Sequence, residues 1–286
     1  MTATLPPRPV DTAGPAPVPR PSAAKGPLRS LLGPALTGLI TLVVVLLTWQ
    51  GLILALNISP FLAKGPLDVW TWLVSVPEAA ENRAVIGDNL RITLGDAFLG
   101  FTAGLVAATL LATVFTLSRG VENALMPVAL LLRTVPLVAL APVISLITGR
   151  GLTTVVVMGS IVVLFPALVN IAFGLRSTSP QIGDVITVYG GTAFTALRLV
   201  AFPSSLPSFF AAVKISIPGA ITGALLAEWL STGTGLGNGI VTAVAQSKNS
   251  EVWASVVAIT VVSLLLYGLA QLVENLVLGR MAPRPI

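Results

Sequence analysis

Four polar side chains interrupt runs that are otherwise apolar enough to lie in a bilayer: Arg133, Asn170, Lys214 and Glu228. Chemistry has to be sought there first. An ionisable group in hydrocarbon is costly, so it marks a solute or ion path, a buried partner, or a side chain that reaches back to the interface. Lys214 and Glu228 stand fourteen residues apart, about 21 Å along a helix and about 40° around it. They face nearly the same way toward opposite ends, and Pro218 between them loosens that geometry. Each has two readings: a path residue, or a chain that snorkels or sits at its interface. Arg133, followed by Thr134 and Pro136, either lines a path and attracts an anion or pairs with an acid such as Glu122. Asn170 suits a hydrogen bond between helices better than a solute contact.

A second polar interruption is "DVITVYGGTAFTALRLVAFP", Asp184 to Pro203. Gly190 and Gly191 can take positive φ and end one short helix. Thr192 can cap the next. Pro203, with Pro207, is expected to stop that helix and redirect the chain. The result would be a helix–turn–helix on the membrane surface, with Val185, Val188, Tyr189, Phe194 and Leu197 exposed. Such a surface makes sense under a partner, or resting on lipid headgroups.

Much chemistry is excluded outright. There is no cysteine and no histidine, which removes disulfides, thiolate and imidazole metal sites, and the usual nucleophilic triads. None of Lys25, Lys64, Lys214 and Lys248 follows a glycine, so the end of a P-loop is missing. An ATP-driven process would need a second chain to bind the nucleotide. "GTGLGNG" (233–239) follows an apolar helix rather than a strand, which argues against a dinucleotide fingerprint. No metal site is expected.

The elements that must hold these residues follow from composition. Of 286 residues, 55% are hydrophobic and 9% charged, against about 25% charged in a soluble domain. Mean hydropathy is +0.94. Apolar runs near twenty residues read as membrane helices. Six are expected: Ala35–Leu56, Leu94–Thr116, Ala124–Ile147, Leu152–Phe173, Ser208–Trp229 and Val252–Val273. The third carries Pro136 and Pro142 and should kink or unwind near its middle. The second is rich in Gly and Ala, a packing face. Residues 1–34 form a Pro-rich tail expected to be disordered, and the late, long apolar run argues against a cleaved leader. Residues 57–84 form an extracytoplasmic loop, with Trp70 and Trp72 suited to headgroups. Residues 85–278 form the core and 279–286 a short tail.

Six crossings put both termini on one side. That side holds Arg8, Arg20, Lys25, Arg29, Arg119, Arg176, Arg198, Arg280 and Arg284; the other holds Lys64, Arg83, Arg91, Arg150 and Lys248. The excess places the termini, and residues 184–203, in the cytoplasm. The same bias explains the net charge of +5. No basic face with interleaved aromatics suggests nucleic acid.

The interruption resembles the signature of membrane subunits of bacterial ABC importers, E-A-A-x3-G-x9-I-x-L-P. Asp184-Val185-Ile186 stand for E-A-A. Gly190 follows at the right spacing, and Val200-Ala201-Phe202-Pro203 stand for I-x-L-P. Only Gly190 and Pro203 are identical. "PEAAENRA" holds Glu78-Ala79-Ala80 literally but lacks the glycine and the I-x-L-P, and reads as a solvated turn or short helix. "RTVPLVALAPVISLITGRG" (133–151), "FPALVNIAFGL" (165–175), "LLAEWLSTGTGLGNGI" (225–240) and "NLRITLGDAFLGFTAG" (89–104) resemble the nitrate/sulfonate/taurine branch of these permeases, in the right order.

That resemblance implies an all-α integral membrane protein with the type I ABC importer permease fold and a cytoplasmic coupling helix. Asp184, Val185, Ile186, Tyr189, Gly190, Gly191, Phe194, Val200, Phe202 and Pro203 would contact the ATPase. Arg133, Thr134, Asn170, Lys214 and Glu228 would be path candidates, with Glu228 near the outer gate or the docked binding protein. Implied partners are two ABC ATPase subunits, an extracytoplasmic substrate-binding protein, a second permease copy and membrane lipid. ATP and Mg would be held by the ATPase, with no cofactor in this chain. The implied place is the inner membrane of a bacterium, and the implied solute a small anionic or polar one such as sulfonate, nitrate or taurine. An ion-driven secondary transporter would instead show paired buried acids or inverted repeats. A membrane enzyme would need convergent polar groups that the sequence does not offer.

Overall fold

The computed structural model describes residues 27–177 and 179–281, and their regular structure is entirely helical. The chain divides into two units, residues 1–56 and 57–286. In the first, α1 (Pro27–Ala55) begins eight residues before the expected Ala35. Proline at the first helical position is well placed, because its missing N–H would have no partner there. Residues 27–34, expected in the disordered tail, are thus helical; residues 1–26 of that tail lie outside the described residues. From Leu36 onward α1 shows no polar face, as suits a helix in lipid.

In the second unit, α2 (Pro66–Trp70) runs into a π-helical turn at Thr71–Ser75. Next come α3 (Ala79–Leu117), α4 (Arg119–Thr134), α5 (Leu137–Thr148), α6 (Leu152–Arg176), α7 (Pro180–Val188), α8 (Ala193–Ala196), α9 (Phe202–Ala227), α10 (Gly235–Ala245) and α11 (Asn249–Met281). A π turn at Leu197–Ala201 joins α8 to α9, and another at Glu228–Thr232 prolongs α9. Helical structure is therefore continuous from Ala193 to Thr232.

By length and composition α1, α3, α6, the Ala193–Thr232 run and α11 can each cross a membrane. The expected third crossing is split into α4 and α5. The break falls where the sequence placed it, since Pro136 is extended (φ −62°, ψ 122°) and Val135, preceding a proline, is kept from helical geometry.

The core is the packing of α3, α6 and α9. Glycines let their backbones meet. A β-carbon on Gly100 would lie 2.8 Å from the Gly159 Cα, and one on Gly223 would lie 2.9 Å from the same atom. Three helices thus converge on Gly159, and the Gly/Ala-rich face expected of the second crossing is a packing face. Thr93, Ala97, Gly100, Gly104, Ala108, Ala112 and Phe115 form the buried stripe of α3. The 57–65 segment is tied to α11: Asn249 Nδ2 donates to Phe61 O at 2.7 Å and Trp253 Nε1 to Leu62 O at 2.9 Å.

Several boundaries differ from expectation. α3 starts at Ala79, not Leu94, so the loop expected over 57–84 is partly helical and "PEAAENRA" enters a long helix. No proline interrupts residues 79–117, and helix persists where only hydrophobicity fades. Pro203 and Pro207 do not end a helix. The π turn before Pro203 closes with the Phe202 N–H on Leu197 O. Its wider turn takes up the crowding that a proline ring imposes on the preceding helical turn. Of the C-terminal tail, 279–281 continue α11, and 282–286 lie outside the described residues.

Candidate functional site

The surface element expected over 184–203 is present. α7 ends in a Schellman motif: the Gly191 N–H bonds Ile186 O at 2.8 Å and the Gly190 N–H bonds Thr187 O at 3.0 Å. Gly190 takes φ +78°, and its β-position is open space. At Gly191 a β-carbon would lie 2.4 Å from Ile186 Cγ2 and 2.9 Å from Ile186 O, so the turn closes only on a glycine. Thr192 caps α8 as expected. Its Oγ1 accepts the Thr195 N–H at 3.3 Å, and Thr195 Oγ1 accepts the Thr192 N–H at 3.2 Å.

The turn carries apolar groups into the open. Val188 is 84% exposed and Tyr189 87%. Val185 and Phe194 are exposed beside them, Asp184 is exposed, and Ile186 and Gly191 are half-buried. Leu197 corrects the expectation: it is 2% exposed and, with Ala201, roots the element in the body of the fold. Val200 is half-buried, while Phe202 and Pro203 are exposed on the next stretch of helix. Leu199, which sequence spacing did not single out, is exposed. The π turn adds a residue per turn and so rotates the facing of the residues after it, which no 3.6-residue count anticipates.

The described intramembrane polar side chains do not share one site. Glu122 pairs with Arg176, which joins α4 to α6. The Arg133 side chain lies outside the described residues. Thr134 is exposed and donates to Leu131 O at 2.7 Å. Asn170 is half-buried and donates to Pro166 O at 2.8 Å, within its own helix rather than between helices. Lys214 pairs with Glu274 on α11 and donates to Gln271 Oε1 at 2.8 Å, so it neither snorkels nor faces open space. Glu274 lies one residue beyond the sixth apolar run, Val252–Val273, and Gln271 is an uncharged residue inside it, so neither stands out in the sequence.

Glu228 is enclosed completely, in the π turn that ends α9. Its Oε2 accepts the Thr93 hydroxyl at 3.0 Å and the Gly237 N–H at 2.7 Å. The Asp96 carboxyl of α3 adjoins it. This polar knot binds α3, α9 and α10, and the structure places Glu228 inside the packing rather than on an open path. At the end of the bundle remote from residues 184–203, Phe61, Lys64, Trp72, Asn82 and residues 247–251 line a cleft of about 420 Å³. Among the described residues, no group of three or more Asp or Glu side chains could hold a metal.

Comparison with known proteins bears on this arrangement. Residues 100–282 match the family described as binding-protein-dependent transport system inner membrane component. The chain is 27% identical over 220 residues to the formylaminopyrimidine transport permease protein of Halalkalibacterium halodurans, covering 77% of this chain and 86% of that one. It is 29% identical over 264 residues to the riboflavin transport system permease protein of Chloroflexus aurantiacus, covering 91% and 96%. A putative aliphatic sulfonates transport permease protein of Bacillus subtilis is 26% identical over 187 residues, covering 65% and 68%.

Proposed function

Because this chain belongs to the binding-protein-dependent transport system inner membrane components, we propose that residues 184–203 are the surface through which a separate ATPase drives it. The protein is an ABC importer permease subunit, a multi-pass membrane protein and not an enzyme. The observation that carries the proposal is the pair Val188 and Tyr189, 84% and 87% exposed on a turn held by its own Schellman motif. An ordered apolar corner in water is unfavourable until covered. Phe194 and Val185 extend it, and Leu197 anchors it.

On this reading, ATP and Mg close two ATPase subunits, the docked corners move with them, and the permease turns from inward- to outward-facing. Its output is a difference in stability between two states, and it performs no covalent step. A second copy of the chain completes a path between the two, with Thr134 on the exposed α4–α5 side and Asn170 as lining candidates. An extracytoplasmic binding protein delivers the solute to the face remote from 184–203. Both termini, and the coupling element, lie in the cytoplasm of a bacterial cell, as the Lys/Arg bias favours. The solute is a small anionic or polar molecule. The relatives are named for solutes as different as aliphatic sulfonates, a formylaminopyrimidine and riboflavin, so the docked binding protein makes the selection.

The test replaces Val188 and Tyr189 together by aspartate. Exposed positions outside any packing contact tolerate such changes within about 0.5 kcal/mol. The variant should insert and purify as the parent does while a P-loop ATPase no longer co-purifies in mild detergent. Full retention of the ATPase by the double variant sinks the docking assignment.

A further inference from the structure

We propose that Glu228 is a positioning residue: it holds α10 in place by shape and hydrogen bonds, and its negative charge is not required. The inference rests on the permease reading only where transport is the readout.

α10 has no cap of its own, because Thr234 makes no side-chain bond to it. The first N–H groups of a helix have no partner within the helix. Here other helices supply two. Glu228 Oε2 accepts the Gly237 N–H at 2.7 Å, and Thr93 Oγ1 accepts the Leu236 N–H at 2.9 Å. The Thr93 hydroxyl also lies 3.0 Å from Glu228 Oε2, so α3 and α9 grip the start of α10 through one connected set of bonds. α10 spans eleven residues, about 16 Å. That is too short to cross a bilayer, so its place is set by such anchors.

The glycines at 235 and 237 follow from the same packing. Gly235 takes φ +74°, and a β-carbon there would lie 2.3 Å from Glu228 Cδ. A β-carbon on Gly237 would lie 2.2 Å from Leu225 O. The Glu228 side chain and the α9 backbone occupy the volume that side chains at 235 and 237 would need. The glutamate and the Gly-Leu-Gly that follows it are therefore two halves of one joint.

Charge is not what the joint uses. The described residues form ion pairs between Arg176 and Glu122 and between Lys214 and Glu274, and neither involves Glu228. Its Oε1 is buried without a hydrogen-bond partner, and the Asp96 carboxyl is a close neighbour of the Glu228 carboxyl. Two carboxyl groups form a hydrogen bond only with a proton between them. Glutamine keeps the shape without the charge: its Oε1 can receive the Thr93 and Gly237 donors that Glu228 Oε2 now accepts. Alanine removes it and leaves the Gly237 N–H without a partner.

The chain has no cysteine, so one introduced thiol reports cleanly. Ala243 on α10 is 2% exposed. Ala243→Cys, labelled with N-ethylmaleimide in membranes, reads whether α10 stays packed. With Glu228→Gln the thiol should remain as protected as in the parent, and uptake should stay within about twofold. With Glu228→Ala, and with Thr93→Val, labelling should quicken about tenfold and uptake should fall in step, as expected when a buried cap is lost. Protection unchanged in both Glu228→Ala and Thr93→Val overturns the positioning role. A tenfold loss of uptake in Glu228→Gln with the thiol still protected overturns the claim that charge is dispensable. The labelling arm does not depend on transport, so a failure of the permease reading and a failure of this one give different results.

Discussion

Gly190 is the position where the coupling proposal can be tested with the least disturbance elsewhere. It is exposed, it holds φ +78°, and nothing lies within 4 Å of where a β-carbon would go. Gly190→Ala therefore meets no steric neighbour and bears only the cost of a left-handed conformation, about 1–2 kcal/mol. That shifts the closed turn against open forms by a factor of about 5–30. Gly190→Pro goes much further. Proline cannot reach φ +78°. It deletes the N–H that bonds Thr187 O at 3.0 Å, and it drives Tyr189 away from its φ −83°, ψ 14°. The turn must open and carry Val188 and Tyr189 to new positions. The assay is reconstitution of permease, ATPase and binding protein in liposomes, following solute uptake and ATP hydrolysis together. Gly190→Ala should lower coupled uptake by less than the full turn equilibrium, because docking of the partner pulls the turn closed again. Gly190→Pro should abolish uptake while insertion and detergent stability hold, since the described contacts of this corner are local. Normal uptake in Gly190→Pro would refute the assignment.

The remaining predictions concern the packing that supports the site. Lys214→Met leaves Glu274, whose side chain is 11% exposed, without its cation; the loss should reach about 3–5 kcal/mol in unfolding measurements. Lys214→Met with Glu274→Leu should recover most of it. A single variant as stable as the parent would show that the pair is solvated in practice. Gly159→Ala pushes a methyl to 2.8 Å from the Gly100 backbone and should cost about 1–3 kcal/mol in detergent thermal stability. An unchanged transition would mean that α3 and α6 do not meet as closely as the structure has them.

Legibility in the sequence divides along physical lines. The turn at Gly190-Gly191-Thr192 was legible because its causes are local: positive φ, a tight closure and a cap each demand a residue type. The broken third crossing was legible for the same reason at Pro136. Pro203 misled because proline's usual effect was undone by a π turn, and nothing in a 3.6-residue pattern announces the extra residue. Lys214 and Glu228 were visible as anomalies, but their partners stand on other helices: Glu274 on α11, Thr93 and Asp96 on α3. A single sequence gives the anomaly and withholds the contact, since which helices meet depends on where glycines let backbones approach. Leu197 failed for a related reason. Its apolar character fitted an exposed docking face and a buried root equally well, and only the fold assigns it to the root.

The two outcomes that escaped the sequence belong to one object. Residues 193–232 are a single helical run of 40 residues, about 60 Å long and about twice the hydrocarbon thickness of a bilayer. One end carries Phe194 and begins at the Thr192 cap; the other closes with the turn that Glu228 opens, and the Glu228 carboxyl holds the start of α10. Each end has its own π turn, 197–201 and 228–232. Had Pro203 stopped the helix, movement of the docking corner would dissipate in a loop. Because it does not, the helix is continuous from Phe194 to the joint that seats α10, and on the coupling proposal displacement at Phe194 would be carried along it. The π turns, being the wider and less regular parts of the rod, are where it would bend. That makes Gly190 and Glu228 mechanically complementary: one fixes the place where force would enter, the other the place where it would be delivered. Variants at the two sites should then be non-additive in uptake, because a corner that cannot dock leaves the far joint nothing to transmit.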